Sequence, residues 1–501
     1  MEFLDPKKQR ANLVRLIIGY ILVGIALLLT TIILLYQAYG FGLKNGEVVQ
    51  NGLIFISSRP TPADIYVNGQ KNEKTTNTRL LLPAGQYTFR LERDGYRTWR
   101  RAIPIEGGSV ARFDYPMLFP TTLVTNDTKK YDARPGIVTQ SPDKRWLLVQ
   151  NGSFNSFDLF DLADREKAPT PLTLPLALFD QPEGGHSWRF VEWASDNRHV
   201  LLQHLAAKDN SQASEYVLLD REEPTESANL TRTLGANPTQ IELLDKKFDK
   251  YFLYDKAAQT LTTATLSEPA PQPLLENILA FKTHGDDVIL YATDEDGLDG
   301  RAQIKLREGD RTYAVRQVAA GDAYLLNLAR YEDNWYAVAG APSENKTYVY
   351  KNPAAALRAK PRSLLVPVQV LKVTNAHHVS FSDNARFISV QGGQQFALYD
   401  AETDKGYGYA VGAPMDAPQD RAVWMDGHRL QFVSKGKTFV FDFDDANSET
   451  LAAADAAYTP VFDRDYEFMY TINPQTAKAA DGTETTQFVL TNTALRTPRD
   501  Q

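Results

Sequence analysis

Hydrophobic positions run without a charge only once along the chain, in LIIGYILVGIALLLTTIILLY at residues 16–36. As a helix these 21 residues span roughly 30 Å, the thickness of a bilayer's hydrocarbon core. The spacing predicts a transmembrane signal anchor at 16–36, after a short tail at 1–15 and before a Gly-rich stalk at 37–51. Further on the pattern becomes short and alternating, as strands require. Between 52 and 117, GLIFISS, ADIYVNG, TRLLL, QYTFRLERDGY, TWRRAIPI and ARFDYPML are separated by turn residues, with Asn68-Gly69 a hairpin signal. Six or so short strands without helical period predict a small β-sandwich over 52–117.

From 137 to 497 a polar turn followed by an apolar strand recurs eight times. The copies are SPDKRWLLVQ (141–150), ASDNRHVLLQH (194–204), DKKFDKYFLYD (245–255), THGDDVILYA (283–292), YEDNWYAVAG (331–340), SDNARFISVQ (382–391), MDGHRLQFVS (425–434) and DRDYEFMYTI (463–472). Apolar strands flank each copy, such as WRFVEWA, HHVSFS and RAVWM before it and FDLFD, YVLLD and FALYD after it. A spacing of about 45 residues with four strands per unit predicts an all-β propeller of eight blades. Units three to five carry the weakest turns, so seven blades is the alternative count, and stacked sandwiches are the alternative architecture. The eighth unit supplies three strands, which leaves an edge to cover. TTLVTN, in the linker at 118–136, has strand composition. We therefore expect Thr121–Asn126 to be the outer strand of the last blade, antiparallel to Gln487–Asn492.

Charge sets the topology. Lys7, Lys8, Arg10 and Arg15 precede the apolar run, and Lys44 alone follows within ten residues. The positive-inside rule places the tail in the cytoplasm and the bulk outside, as a single-pass protein of the cell membrane. A cleaved signal peptide is the competing reading; the run exceeds a usual h-region, and Gln37-Ala38-Tyr39 is a poor cleavage site. The chain has no cysteine, so disulfides, thiolate nucleophiles and Cys-ligated metals are excluded. Its formal charge of −8 argues against nucleic acid as a partner. With 24 Tyr, 24 Phe and 6 Trp, the composition leans toward strands.

Two resemblances follow. The stretch from Ser57 to Ile105 resembles a PEGA domain, in the Ala63–Gly69 strand, in the turn with Pro83, Gly85 and Tyr87, and in Gly95-Tyr96. It departs from the name's tetrapeptide at Ala84 and Gln86. The resemblance implies an immunoglobulin-like, non-catalytic spacer or binding module of prokaryotic surface proteins. The sequons at Asn126, Asn151, Asn229 and Asn345 are discounted on the same ground. The turns SPDK, ASDN and FSDN resemble those of TolB-like and WD-type propellers, through Asp143, Asp196, Asp383 and Asp426.

Chemistry is sparse. HExxH, Gly-x-Ser-x-Gly and P-loop motifs are absent from the sequence. His377-His378 is the one histidine pair, and neighbours on a strand face opposite ways. Asp294, Asp296 and Asp299, with Gly297 and Gly300, are similar to an acidic calcium loop but lack the closing Glu; a charged hairpin tip fits as well. FVFDFDD at 439–445 fits a binding face or a half-buried strand. The expectation is no catalytic, cofactor-binding or metal-binding residue and no cofactor. The protein is read as a non-enzymatic, membrane-anchored envelope protein whose propeller binds another envelope protein or a cell-wall polymer. The alternative is a hydrolase or lyase with its site in the propeller funnel, which inner strands such as VEWA, LLNLA and AVWM disfavour. A receptor signalling through the 15-residue tail is a third reading.

Overall fold

The structure is a computed structural model that describes residues 6–38, 40–44, 47–180, 184–208, 211–360, 364–478, 484–498 and 500. Two compact units are formed: Met1–Thr122 with Arg496–Gln501, and Leu123–Leu495.

The first unit opens with a helix, Pro6–Ala38, longer at both ends than the expected span. Its stretch Asn12–Tyr36 is long and apolar enough to cross a membrane. Thr30 and Thr31 return their hydroxyls to Ala26 O and Leu27 O at 2.8 Å, which keeps both polar groups satisfied in an apolar surrounding. The expected stalk is corrected: Phe41–Lys44 pairs antiparallel with the start of Glu47–Ile56, so this segment is a strand of the sandwich. Tyr39, Asn45 and Gly46 lie outside the described residues.

The sandwich has two four-stranded sheets. One joins Phe41–Lys44, Glu47–Ile56, Thr78–Pro83 and Val110–Phe113; the other runs Gln70–Thr75, Asp64–Val67, Gly85–Glu92, Trp99–Ile105. Alternation sends Ile54, Ile56, Ile65, Phe89, Leu91 and Trp99 into the core between them. Asn68 and Gly69 both take positive φ, as a tight hairpin turn between right-twisted strands requires. The C-terminal residues belong to this unit, not to the propeller to which 137–497 assigned them. Tyr96 OH donates to Asp500 Oδ2 at 2.7 Å and accepts from the Thr497 N–H at 2.8 Å, and Arg93 pairs with Asp500.

The second unit is a propeller of eight four-stranded antiparallel sheets. Units three to five each form a complete blade, which settles the count against seven. The first strands of the blades are Val138–Gln140, Gly185–Trp193, Gln240–Leu243, Ala280–His284, Leu325–Tyr331, His378–Phe381, Val423–Trp424 and Val461–Phe462. First strands of adjacent blades touch, as in the second and third, the fourth and fifth, and the fifth and sixth, so they form the inner wall. The apolar faces of neighbouring sheets interlock: Leu148, Phe157 and Leu172 of blade 1 pack with Trp193, Val200 and Val217 of blade 2.

The last blade runs Val461–Phe462, Phe468–Lys478, Glu484–Ala494 and then Val124–Tyr131, an outer strand drawn from before the first blade. It is antiparallel as expected, but the segment is later than Thr121–Asn126: Asn126 pairs with Asn492 and Tyr131 with Phe488. Two facts fix this register. The Thr121 amide already donates to Gly95 O within the sandwich unit, at 2.9 Å. Tyr131 is the residue that buries, in a core shared by blades 8 and 1 with Leu147, Phe160 and Tyr470. Lys129 adds an ion pair to the buried Asp158 of blade 1 at 2.7 Å.

Candidate functional site

The turns between first and second strands all lie at one end of the inner wall, and in five blades they share a chemistry. A side-chain oxygen of Asp143, Asp196, Asn384, Asp426 or Asp463 accepts a backbone N–H two to five residues on. In the first four the amide is two residues on, an Asx turn, which explains the recurring acidic turn; Asp463 instead reaches the Glu467 and Phe468 amides. In blade 6 the role falls to Asn384 and not to Asp383, as the sequence pattern had it.

In four of these blades an arginine at the end of the turn reaches the aspartate ending the third strand. Arg145–Asp161 and Arg198–Asp220 do so in blades 1 and 2, and Arg386–Asp400 and Arg429–Asp442 in blades 6 and 7. Arg386–Asp400 is bidentate, at 2.8 and 2.7 Å, with Asp400 1% exposed. Burial pulls the Asp400 carboxyl up, but the Arg386 guanidinium and the Thr403 hydroxyl outweigh it and hold it below the usual carboxylate range. Blades 3, 4 and 5 carry no such pair among the described residues.

The regular turns also converge. Lys144 stands in the left-handed region, φ 60°, as Asn197 and Ala385 do in the corresponding turns of blades 2 and 6. Its ammonium reaches Asp383 Oδ2 and Met425 O, both at 3.1 Å, and the Tyr466 hydroxyl. One lysine of blade 1 thus ties the turns of blades 6, 7 and 8. Nothing in the turn pattern announced this contact.

The irregular blades and blade 2 together border a cleft. A cleft of about 570 Å³ is lined by the inner strands of blades 2 to 5, with Arg189, Phe190, Glu192, Glu242, Lys282 and Asn327 among its walls. A bulge between Phe190 and Glu192 interrupts the pairing of the blade 2 strand. Bulges re-aim side chains, and here Arg189 and Phe190, adjacent in sequence, both line the cleft. Glu192 accepts the Leu243 amide and pairs with Lys246. Glu242 accepts from Gln240 at 2.7 Å and from the Thr283 hydroxyl at 3.3 Å, with Lys282 at 4.0 Å. Sequence reasoning passed over these residues because each inner strand reads as mixed; ring closure is what assembles them.

The residues singled out in sequence fall elsewhere or play other parts. His378 is on the blade 6 inner strand, and burial, Arg421 and His377 push it down to about 4, so it is neutral at pH 7. His377 bonds Asp420 O at 2.7 Å instead of joining it. In the loop 294–300, Glu295 and Asp296 are taken by Lys305 at 3.3 and 3.0 Å, and a Cβ on Gly297 would meet Arg301 O at 2.3 Å. That is a hairpin tip in which one lysine holds two of the four carboxylates. FVFDFDD is the third strand of blade 7 and the turn after it, with Phe441 and Phe443 buried and Asp442 in the Arg429 pair. No group of three or more metal-ligating side chains is assembled among the described residues.

Residues 51–118 match the PEGA domain, so the chain combines a PEGA domain with an eight-bladed propeller. No curated protein matches the chain. Among solved structures, Kluyveromyces lactis Hsv2 is similar at 9% identity and a TM-score of 0.39, over 66% of this chain and 100% of that one. An oligogalacturonate lyase in complex with manganese is similar at 11% identity and a TM-score of 0.36, over 74% and 98%. Porphyromonas gingivalis dipeptidyl peptidase 4 is similar at 9% identity and a TM-score of 0.43, over 72% and 60%. At such scores none of these carries an inference about activity.

Proposed function

We propose that the protein is a non-enzymatic, membrane-anchored envelope protein that presents its propeller outside the cell for binding. The observation that carries this is the order of parts: an apolar helix of membrane-spanning length, then a PEGA domain at 51–118, then the propeller. Lys7, Lys8, Arg10 and Arg15 precede the apolar run within the helix, which favours an inside N-terminus. A closed ring suits presentation, since rigid sheets hold the loops and walls that recognise. The non-enzymatic part rests on the cleft carboxylates, both engaged by neighbouring donors as described above.

The chain lacks cysteine, so a single Glu73→Cys, on an exposed strand of the sandwich, is a clean reporter. A membrane-impermeant maleimide should label it in intact cells whose outer layers admit the reagent. Labelling only after membrane disruption would contradict the topology.

A further inference from the structure

The inference here deepens the binding reading and rests on it: the cleft on blades 2 to 5 also indicates what class of molecule is bound. Its anionic groups are satisfied and its cations are less so. Arg189 is exposed and makes no ion pair or hydrogen bond among the described residues. Lys282 stands 4.0 Å from Glu242, its one ion pair among the described residues, with its side chain 49% exposed. The lining carries Arg189, Lys246 and Lys282 against Glu192 and Glu242, an excess of positive charge. The chain as a whole carries −8, so a positive cleft is a local departure that favours anions.

Beside Arg189, Phe190 is 45% exposed, on a wall that also holds Val191, Tyr216 and Ile241. Gln203 and Gln240 each give one amide N–H to a neighbour, Ser214 and Glu242, which leaves their amide oxygens and second N–H groups to a ligand, whereas the Thr283 hydroxyl is given to Glu242 and Asn327 is held by Val379 O and the Leu328 amide. A cleft of about 570 Å³ lies within the range of small-ligand sites. One aromatic face, two amides and two cations suit a ligand with hydroxyls, an apolar ring face and a negative group. An acidic peptide would want apolar pockets for side chains, and a nucleic acid a longer basic track.

We propose that this cleft binds an anionic glycan: a segment of sugar or polyol polymer bearing carboxylate or phosphate. Arg189 and Lys282 take the anion, Phe190 lies against the apolar face of a ring, and the amides take hydroxyls.

The test is calorimetric titration of the full-length protein in detergent at low salt. Three probes are used: a glucuronate-containing hyaluronan tetrasaccharide, a poly(glycerol phosphate) oligomer and neutral maltotetraose. At least one anionic probe should bind at least tenfold more tightly than maltotetraose and weaken with added salt. Arg189→Gln should lose about tenfold and Lys282→Gln several-fold, with unfolding temperatures unchanged. Which anionic probe binds separates carboxylate from phosphate. Equal binding of the neutral probe, no binding of either anionic probe, or undiminished binding by both variants overturns the assignment. The maleimide labelling is independent: outward topology with a failed titration overturns the ligand class alone, and an inward propeller overturns the anchoring reading.

Discussion

Blades 1, 2, 6 and 7 differ from blades 3, 4 and 5 in how each closes its first turn. The former tie the turn to the third strand through an arginine and a buried aspartate. Blades 3 and 5 have local, exposed pairs in that place, Lys247–Asp245 and Arg330–Asp333, with Asp333 99% exposed. All seven have full sheets and buried apolar faces, so the clasp is not what makes a blade. The Lys144 knot draws blades 1, 6, 7 and 8 together, whereas the open cleft lies along blades 2 to 5. The cleft takes the three blades that lack the clasp, together with blade 2, which has it, while the knot joins blades 1, 6, 7 and 8.

The largest effect should come from the strand that joins the two ends of the ring. Deleting 124–131 removes a whole strand, the buried Tyr131 and the Lys129–Asp158 pair. The loss should be about 5 kcal/mol or more in urea unfolding. A gentler check uses Thr125 and Thr493, directly paired with hydroxyls 2.9 Å apart. Thr125→Cys with Thr493→Cys should form a disulfide on mild oxidation in this otherwise cysteine-free chain.

Next comes the clasp. Arg386→Ala leaves Asp400 buried without its partner and should cost about 3 kcal/mol by urea unfolding. Arg330→Ala, the blade 5 comparison, should leave the midpoint unchanged. The clasp also gives a pH signature. The Asp400 carboxyl is held below its unfolded value, so its stabilisation is full above that value and disappears as pH falls through the lowered one. Native protein should therefore lose more stability than Arg386→Ala on acidification below about pH 4.

The smallest effect is a gain. Burial, with Glu467 and Asp465 nearby, raises Asp463 to about 6, above its ordinary 3.8. Its folded form holds a proton more tightly than the unfolded chain, so stability from this residue falls as pH rises from about 4 to 6. Asp463→Asn keeps an acceptor for the Glu467 and Phe468 amides and removes the charge. It should raise stability by about 1 kcal/mol at pH 7 and leave it unchanged near pH 4, in parallel thermal melts.

How much of this was legible follows from the range of each interaction. The alternation of IYV, TFRL and WLLV revealed the strands, and Asn68-Gly69 and SPDK revealed their turns, because both signals are local. The composite last blade was legible by elimination, since three strands leave an edge. Its register was not, because it depends on Tyr131 finding blade 1 and on Gly95 engaging Thr121. The turn aspartates could be seen, yet their arginine partners could not, although FDLFD, YVLLD and FALYD all end on the residue required. The cleft was hidden for a different reason: Arg189, Glu242, Lys282 and Asn327 sit 40 to 53 residues apart, one to a blade, and become neighbours only when the ring closes.

The division between scaffold and recognition is tested most directly by the affinity of the anionic glycan probe for Arg386→Ala beside that for Arg189→Gln, below both unfolding transitions. The account predicts that Arg386→Ala binds within about twofold of the native protein while Arg189→Gln loses about tenfold. An equal loss in both, or a loss confined to Arg386→Ala, would contradict it.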